Sequence, residues 1–196
     1  MPNWCYNRMV VFGNSAEIKD FQQKCLSAMR KAEETGVWSL YAIYEEFGFE
    51  EKEILDNDSN GYIRGNIVYV DEVVSPYKNG QYCILIEYES AWSSMLEGFN
   101  YLFSKYYKSL RQYTVAEECG MEIYINTDTN HEYFDEKYVL WIEDDDTYYC
   151  KSDKEVIDII NDTINLNNAP LHTINECYKL IANSPINASL NEYSAY

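Results

Sequence analysis

Trp4-Cys5-Tyr6-Asn7-Arg8-Met9-Val10-Val11-Phe12-Gly13-Asn14-Ser15-Ala16-Glu17 opens the chain on a strand that runs straight into a helix. The first nine of these residues are rich in aromatic and branched side chains and are stopped by Gly13-Asn14, a strand followed by a turn signal. Asn14 can cap what comes next, with Glu17 at the third helical position, and Ile18, Phe21, Cys25, Met29 and Ala32 recur at helical spacing until Gly36. The predicted helix is Ser15–Glu34.

The same unit recurs further along. Tyr82–Glu89 reads as a second strand, and a second helix is predicted from Ala91 to Lys108, with Trp92, Met95, Leu96, Phe99, Leu102, Phe103 and Tyr106 on one face. Between the two units, residues 37–80 are acidic and broken by turn signals, and they read as an insertion with short strands near Tyr62–Val70. Strands are expected at Tyr113–Glu118, Met121–Thr127, Tyr138–Glu143 and Thr147–Cys150. Two helices follow. Ser152 with Glu155 has the spacing of a capping box, and Leu171, Ile174, Tyr178 and Ile181 are in helical register up to Pro185. Ile186–Tyr196 reads as a frayed end. This order predicts an α+β fold, a mostly antiparallel sheet with the two long helices on one face. The expected organisation is a domain over 1–150 with the insertion at 37–80, and a C-terminal helical appendage over 151–196.

Charge is the strongest compositional signal. The chain has 33 Asp and Glu against 15 Lys and Arg, a formal net charge of −18. Ile43–Asp58 holds seven acids against Lys52 alone, and Gln112–Cys150 holds eleven against Lys137 alone. Lys19, Lys24, Arg30, Lys31, Lys105, Lys108 and Arg111 lie in or at the end of the two long helices, which predicts a polarised molecule. Such a field repels nucleic acid and membranes and attracts basic surfaces. Hydrophobic residues make up 46% of the 196 residues and aromatics 16%, too many for a disordered acidic tail. No run approaches the roughly 20 apolar residues of a membrane span, and the N-terminus has no basic lead-in with an apolar run, so a cytoplasmic location in the host cell is expected. The six cysteines form no CxxC pair and stand apart from His131 and His172, which argues for reduced thiols over zinc or disulfides.

The opening Met1-Pro2-Asn3-Trp4-Cys5-Tyr6-Asn7, with its strand ending in Gly13, resembles the start of the YubB/Api92-like family of phage and plasmid proteins. Ile84-Leu85-Ile86-Glu87-Tyr88-Glu89-Ser90-Ala91-Trp92 is similar to that family's strand leading into an Ala-Trp helix start, although Ser94-Met95 stands where the family has two prolines. Tyr113 through Glu117-Glu118 to Gly120-Met121 is a weaker match. The resemblance implies a ferredoxin-like fold and an origin in mobile elements, with no established activity and no catalytic residues.

Each candidate site has a functional and a structural reading. Trp4, Cys5, Asn7 and Trp92 line a ligand pocket on one; on the other, the tryptophans pack helices on the sheet while Asn7 satisfies buried backbone groups. Glu143-Asp144-Asp145-Asp146 offers carboxylates for Mg²⁺ or Ca²⁺ but lacks the spacing and glycine of a calcium loop, so a solvated hairpin is favoured. Asp128, His131 and Glu132 have no nucleophile context. Tyr133, Phe134, Tyr138, Tyr148 and Tyr149 flank the acidic hairpins; each alone reads as a half-buried sheet residue, while the group suits a binding surface.

The expectation is a non-enzymatic, cofactor-free counter-defence protein of a mobile element. It would bind the basic surface of a host nucleic-acid-handling protein, a CRISPR effector or restriction enzyme, as a nucleic-acid mimic. Its expected contacts are Glu45, Glu46, Glu50, Glu51, Glu53, Tyr133, Glu143, Asp144, Asp145 and Asp146. Eighteen charges match roughly 30 Å of duplex at one per ~1.7 Å, against a compact body about 40 Å across. The alternatives are a metal-dependent nuclease or nucleotide-modifying enzyme, a sequestering protein for a small nucleotide signal, and an acidity that serves solubility alone.

Overall fold

The computed structural model describes residues 3–50, 52–53, 63–143, 147–166, 168–185 and 187–195. The chain is α+β, with antiparallel sheets and five described α-helices, and it divides into two compact units, 1–127 and 128–196.

In the first unit β1 (Trp4–Gly13) alternates as a strand must. Cys5, Asn7, Met9 and Val11 are buried while Trp4 and Tyr6 are exposed. Gly13 gives room where β1 ends: a Cβ there would stand 2.8 Å from Leu110 Cδ2 and 3.0 Å from the Ser109 carbonyl oxygen, so a larger residue would force its neighbours to shift. Asn14 then caps α1 (Ser15–Thr35), its Oδ1 accepting from the Glu17 amide at 2.9 Å. Gly36, at φ 75°, closes the helix, its N–H donating to the Ala32 carbonyl. A short α2 (Ser39–Glu46) precedes β2 (Gly65–Val70), the two-residue β3 (Ser75–Pro76) and β4 (Tyr82–Ala91). After α3 (Leu96–Tyr106) come β5 (Arg111–Glu118) and β6 (Ile123–Asn126).

The strand order is β2-β4-β1-β5-β6, with β3 also on β4, and every pair is antiparallel. β1 and β4 pair over their full length, from Trp4 opposite Ala91 to Gly13 opposite Tyr82. One buried cluster joins Met9 and Val11 of β1, Ile84, Ile86 and Tyr88 of β4, Ile18, Phe21, Cys25 and Ala28 of α1, Leu40 and Ile43 of α2, and Phe99, Leu102 and Phe103 of α3. Phe21 presents its edge to Phe103 at 4.9 Å and to Phe99 at 6.1 Å. Such aromatic pairs contribute ~0.5–1.5 kcal/mol each beyond simple burial.

The second unit has a sheet of its own, β8-β7-β9, made of β7 (Tyr138–Ile142), β8 (Thr147–Cys150) and β9 (Ala188–Glu192). Two helices, α4 (Asp153–Thr163) and α5 (Ile174–Asn183), complete it. Tyr138, Leu140, Cys150, Val156, Ile160, Cys177 and Leu190 form its core. Ser152 Oγ accepts from the Glu155 amide, while Glu155 reaches past it to the Lys151 amide. The reciprocal capping box forms at Thr173 and Glu176 instead.

Three expectations change. The boundary falls after Thr127 rather than at 150, because β7 and β8 belong to the sheet that β9 completes. Residues 151–196 are thus not a helical appendage, and 188–192 are a paired strand rather than a frayed end. Within 37–80 the strand expected near Tyr62–Val70 forms as β2 and joins the main sheet. Helix α3 starts at Leu96, not Ala91, because β4 runs on through Ala91 and Trp92 takes a positive φ of 71°. All six cysteines are free thiols, and all but Cys119 are buried. Burial pushes the Cys5 thiol up to about 12. No helix among the described residues is long and apolar enough to cross a membrane.

Glu17 ties the start of α1 to the turn before β5. It accepts from the Ser109 amide at 2.9 Å, the Ser109 hydroxyl at 2.8 Å and the Lys108 amide at 3.3 Å. Partial burial alone raises its carboxyl, but these bonds and one from Asn14 outweigh that and hold it below its ordinary value. A depressed folded value contributes stability above the unfolded value of about 4.3 and loses it as pH falls. Glu17→Gln should therefore lower the unfolding free energy by about 1–2 kcal/mol at pH 7. Urea titrations should find the gap to the parent closing as pH falls below about 4.

Candidate functional site

The residues that carry the opening motif build the end of the central strand pair. Asn7 is fully buried, and its Nδ2 donates to the Cys5 carbonyl (2.8 Å), Ser90 Oγ (3.1 Å) and the Tyr88 carbonyl (3.3 Å). Ser90 Oγ donates in turn to the Ser93 carbonyl at 2.7 Å, and Tyr88 and Ser94 share a hydroxyl bond at 3.1 Å. The structural reading of Asn7 fits these contacts. The tryptophans do not follow it. Trp4 is 41% exposed and Trp92 40%, because Trp4 occupies an even position of β1, opposite in pleat to Asn7, and Trp92 sits in a turn.

Around Trp4, the sheet surface opposite in pleat to Asn7 carries rows of carboxylates and tyrosines. Tyr6 stands opposite Glu89 on one side and Glu117 on the other; Asn66 flanks Glu89 and Tyr124 flanks Glu117. The next row places Arg8 opposite Glu87, with Tyr69 beyond it. Strands lie ~4.8 Å apart, so Glu89 and Glu117 are spaced by roughly 10 Å across Tyr6. Tyr6, Tyr69 and Glu89 are exposed. The Tyr69 hydroxyl donates to Asp71 at 3.0 Å, and that bond raises its pKa.

At the β2 edge lies a cleft of about 330 Å³ lined by Met29, Ala32 and Glu33 of α1, Gly36 to Trp38 of the following turn, Ser39 at the start of α2, and Asn66 and Ile67 of β2. Its geometry follows from two contacts. Ser39 stitches α2 to β2, its amide donating to Asn66 Oδ1 at 3.0 Å and its Oγ accepting from the Ile67 amide at 2.6 Å. Trp38, just ahead of α2, is 41% exposed and meets the Trp4 ring at 5.7 Å and 60°. The Trp38 rim thus joins the cleft to the carboxylate–tyrosine surface.

The expected site residues are distributed differently. Glu45 pairs with Lys31 at 2.8 Å; Glu46 accepts from the Ser27 hydroxyl, and its carbonyl from Lys24 Nζ at 3.0 Å. The first acidic segment is therefore partly matched by the bases of α1, and the expected separation of charges does not hold there. Glu50 and Glu53 are exposed and joined through the Glu50 amide; Glu51 lies outside the described residues. In the second unit Tyr133 and Glu143 are exposed, and Asp144, Asp145 and Asp146 lie outside the described residues. Tyr149 is exposed but Phe134 and Tyr138 are core. Asp128 accepts from the Tyr133 and Phe134 amides, and His131 Nδ1 lies 3.2 Å from the Phe134 carbonyl, so both shape one turn. Among the described residues no group of three or more His, Cys, Asp or Glu stands close enough to hold a metal ion.

Sequence reasoning passed over Glu33, Trp38, Asn66, Glu87 and Glu89. Glu87 and Glu89 carried a signal: they alternate with Ile86, Tyr88 and Ser90, so both face away from the core. No protein-family model, curated protein or solved structure matches the chain.

Removing the Asn7 amide leaves buried carbonyls without their donor. Asn7→Leu, which keeps the branched shape but removes the donor, should lower the unfolding free energy by about 2 kcal/mol, read as a fall in urea midpoint with unaltered slope. An unchanged midpoint would mean that backbone pairing alone satisfies those carbonyls.

Proposed function

We propose that this chain is a non-enzymatic, acidic counter-defence protein of a mobile element. It acts in the host cytoplasm by docking on the basic surface of a nucleic-acid-handling protein such as a CRISPR effector or restriction enzyme. The observation that carries the reading is the arrangement of Glu87, Glu89 and Glu117 along neighbouring strands among Tyr6, Tyr69 and Tyr124. Carboxylates that serve a metal converge on one point, whereas a nucleic-acid mimic spaces them along a surface. Here Glu87 and Glu89 are spaced by ~7 Å along β4, and Glu117 stands roughly 10 Å from Glu89 across the ring of Tyr6. The net charge of −18 supports the same partner class through long-range attraction.

The same reading takes the chain as kin to the YubB/Api92-like family, and the strand order supports it. A helix follows each of the central strands β1 and β4, and the order β2-β4-β1-β5 with antiparallel neighbours supports reading the sheet as a split βαβ, ferredoxin-like arrangement. The Phe21 contacts with Phe99 and Phe103 support both long helices on one face. Five buried free thiols suit a reducing compartment.

The test is competition for DNA on purified restriction enzymes and CRISPR effectors, read by gel shift. A susceptible effector should lose DNA binding in the presence of the chain. Glu87→Lys with Glu89→Lys should weaken that inhibition at least tenfold, and so should raising salt from about 0.1 to 0.5 M, which screens exposed charges. The control Asp158→Lys with Asp162→Lys on α4 should leave it unchanged. Inhibition indifferent to both the strand reversal and salt, or none across the panel, overturns the reading.

A further inference from the structure

We propose that the cleft between α1 and β2 is a receptor for one arginine side chain of a basic polypeptide. The inference deepens the reading above by naming the group that anchors the partner.

Four features converge there. Met29, Ala32, Val37 and Ile67 give apolar lining for an aliphatic stem, and Trp38 gives an indole for the guanidinium to stack on. Glu33 lines the same cleft, is exposed, and carries no hydrogen bond or ion pair among the described residues. The last turn of α1 contains Glu33 and Glu34 and no base, so two carboxylates sit where the helix carbonyls already concentrate negative charge. That placement opposes helix stability in the free chain, and a bound cation relieves it. Finally, Asn66 spends its Oδ1 on Ser39 and keeps its amide N–H groups for another acceptor, such as a main-chain carbonyl of the same peptide.

Size and charge select among ligands. At about 330 Å³ the cleft is at the low end of the roughly 300–1,000 Å³ of small-molecule sites, suited to one long side chain. Glu33, Glu34 and the helix C-terminus repel phosphate, so a nucleotide signal does not belong here. Between the two long cations, arginine is the less strongly hydrated and can pair with Glu33 while stacking on Trp38. Arg64, one residue ahead of β2, is exposed and is not part of the lining, so the chain's own base does not fill the cleft.

The experiment is a titration of the intact chain with acetyl-Gly-Arg-Gly-amide, followed through the tryptophan indole N–H signals in ¹H–¹⁵N NMR. The Trp38 signal is assigned by its loss in Trp38→Phe. A saturable shift of that signal is expected with the arginine peptide and not with its neutral citrulline counterpart. Glu33→Gln should weaken the arginine peptide at least roughly fivefold, whereas Asp158→Asn should leave it unchanged. Equal binding of the citrulline peptide, an unmoved Trp38 signal, or full affinity in Glu33→Gln overturns the proposal. Effector inhibition that survives such a result but is lost on reversing Glu87 and Glu89 would leave the functional reading standing without the arginine site. Arginine binding without any effector inhibition would do the reverse.

Discussion

The buried amide of Asn7 is the interaction on which the first unit depends. It lies between the two central strands, and its donors serve a carbonyl on its own strand and two acceptors on β4. A polar group that far from water is tolerated only when satisfied, and Ser90 and Tyr88 satisfy it in only one register of β1 against β4. A slip of one residue would remove those acceptors and turn Glu87 and Glu89 into the core that holds Ile86 and Tyr88. The same network directs the chain out of the sheet. Ser90 reaches over to the Ser93 carbonyl, Trp92 takes its left-handed conformation with its amide on the Asn3 carbonyl, and α3 begins four residues later, at Leu96.

Once that register is set, the two faces of β4 acquire opposite chemistry. Ile84, Ile86 and Tyr88 join the buried cluster that also holds residues of α1 and α3, while Glu87 and Glu89 are turned away from it beside the tyrosines of β1 and β2. Gly65 then lets β2 approach: a Cβ there would lie 1.9 Å from the Glu89 carbonyl oxygen. This closeness brings Asn66 beside Glu89 and within reach of Ser39, which positions α2 and leaves Trp38 at the rim. The carboxylate rows and the cleft are thus consequences of one strand register.

The parts legible in sequence were those governed by local pattern. The alternation in residues 4–13 and 82–91 and the Asn14 cap each depend on side chains within a few positions of each other. The failures came where a distant partner decided. Ala91 and Trp92 fit a helical stripe, but pairing with Trp4 carries β4 through Ala91. Ala188–Glu192 has Leu190 as its one large apolar residue, and it becomes a strand because β7 offers a free edge some fifty residues earlier. Trp4 was legible as aromatic strand sequence but not as exposed, although its even position alongside the outward Tyr6 already implied it. Nothing local marked Trp38 and Glu33 as neighbours of Asn66, because their meeting depends on the Ser39 contact to β2.

The distribution of charge separates acids engaged within the fold from acids that have no bond among the described residues. Glu17 and Glu176 cap or clamp backbone amides, Asp153 and Asp135 pair with Lys137 and Lys151, and Glu45 pairs with Lys31. These carboxylates meet their counter-charges or donors within their own unit, so an external base gains little from them. Glu33, Glu34 and Glu89 differ. Each is exposed, none has a bond among the described residues, and the first two sit at the helix end that least favours them. Acids kept against local preference, beside two half-exposed tryptophans, mark the region where local rules of stability are relaxed, and such conflicts concentrate at binding sites. Solubility alone asks for charge anywhere on the surface and gives no reason to place it against a helix terminus beside exposed indoles.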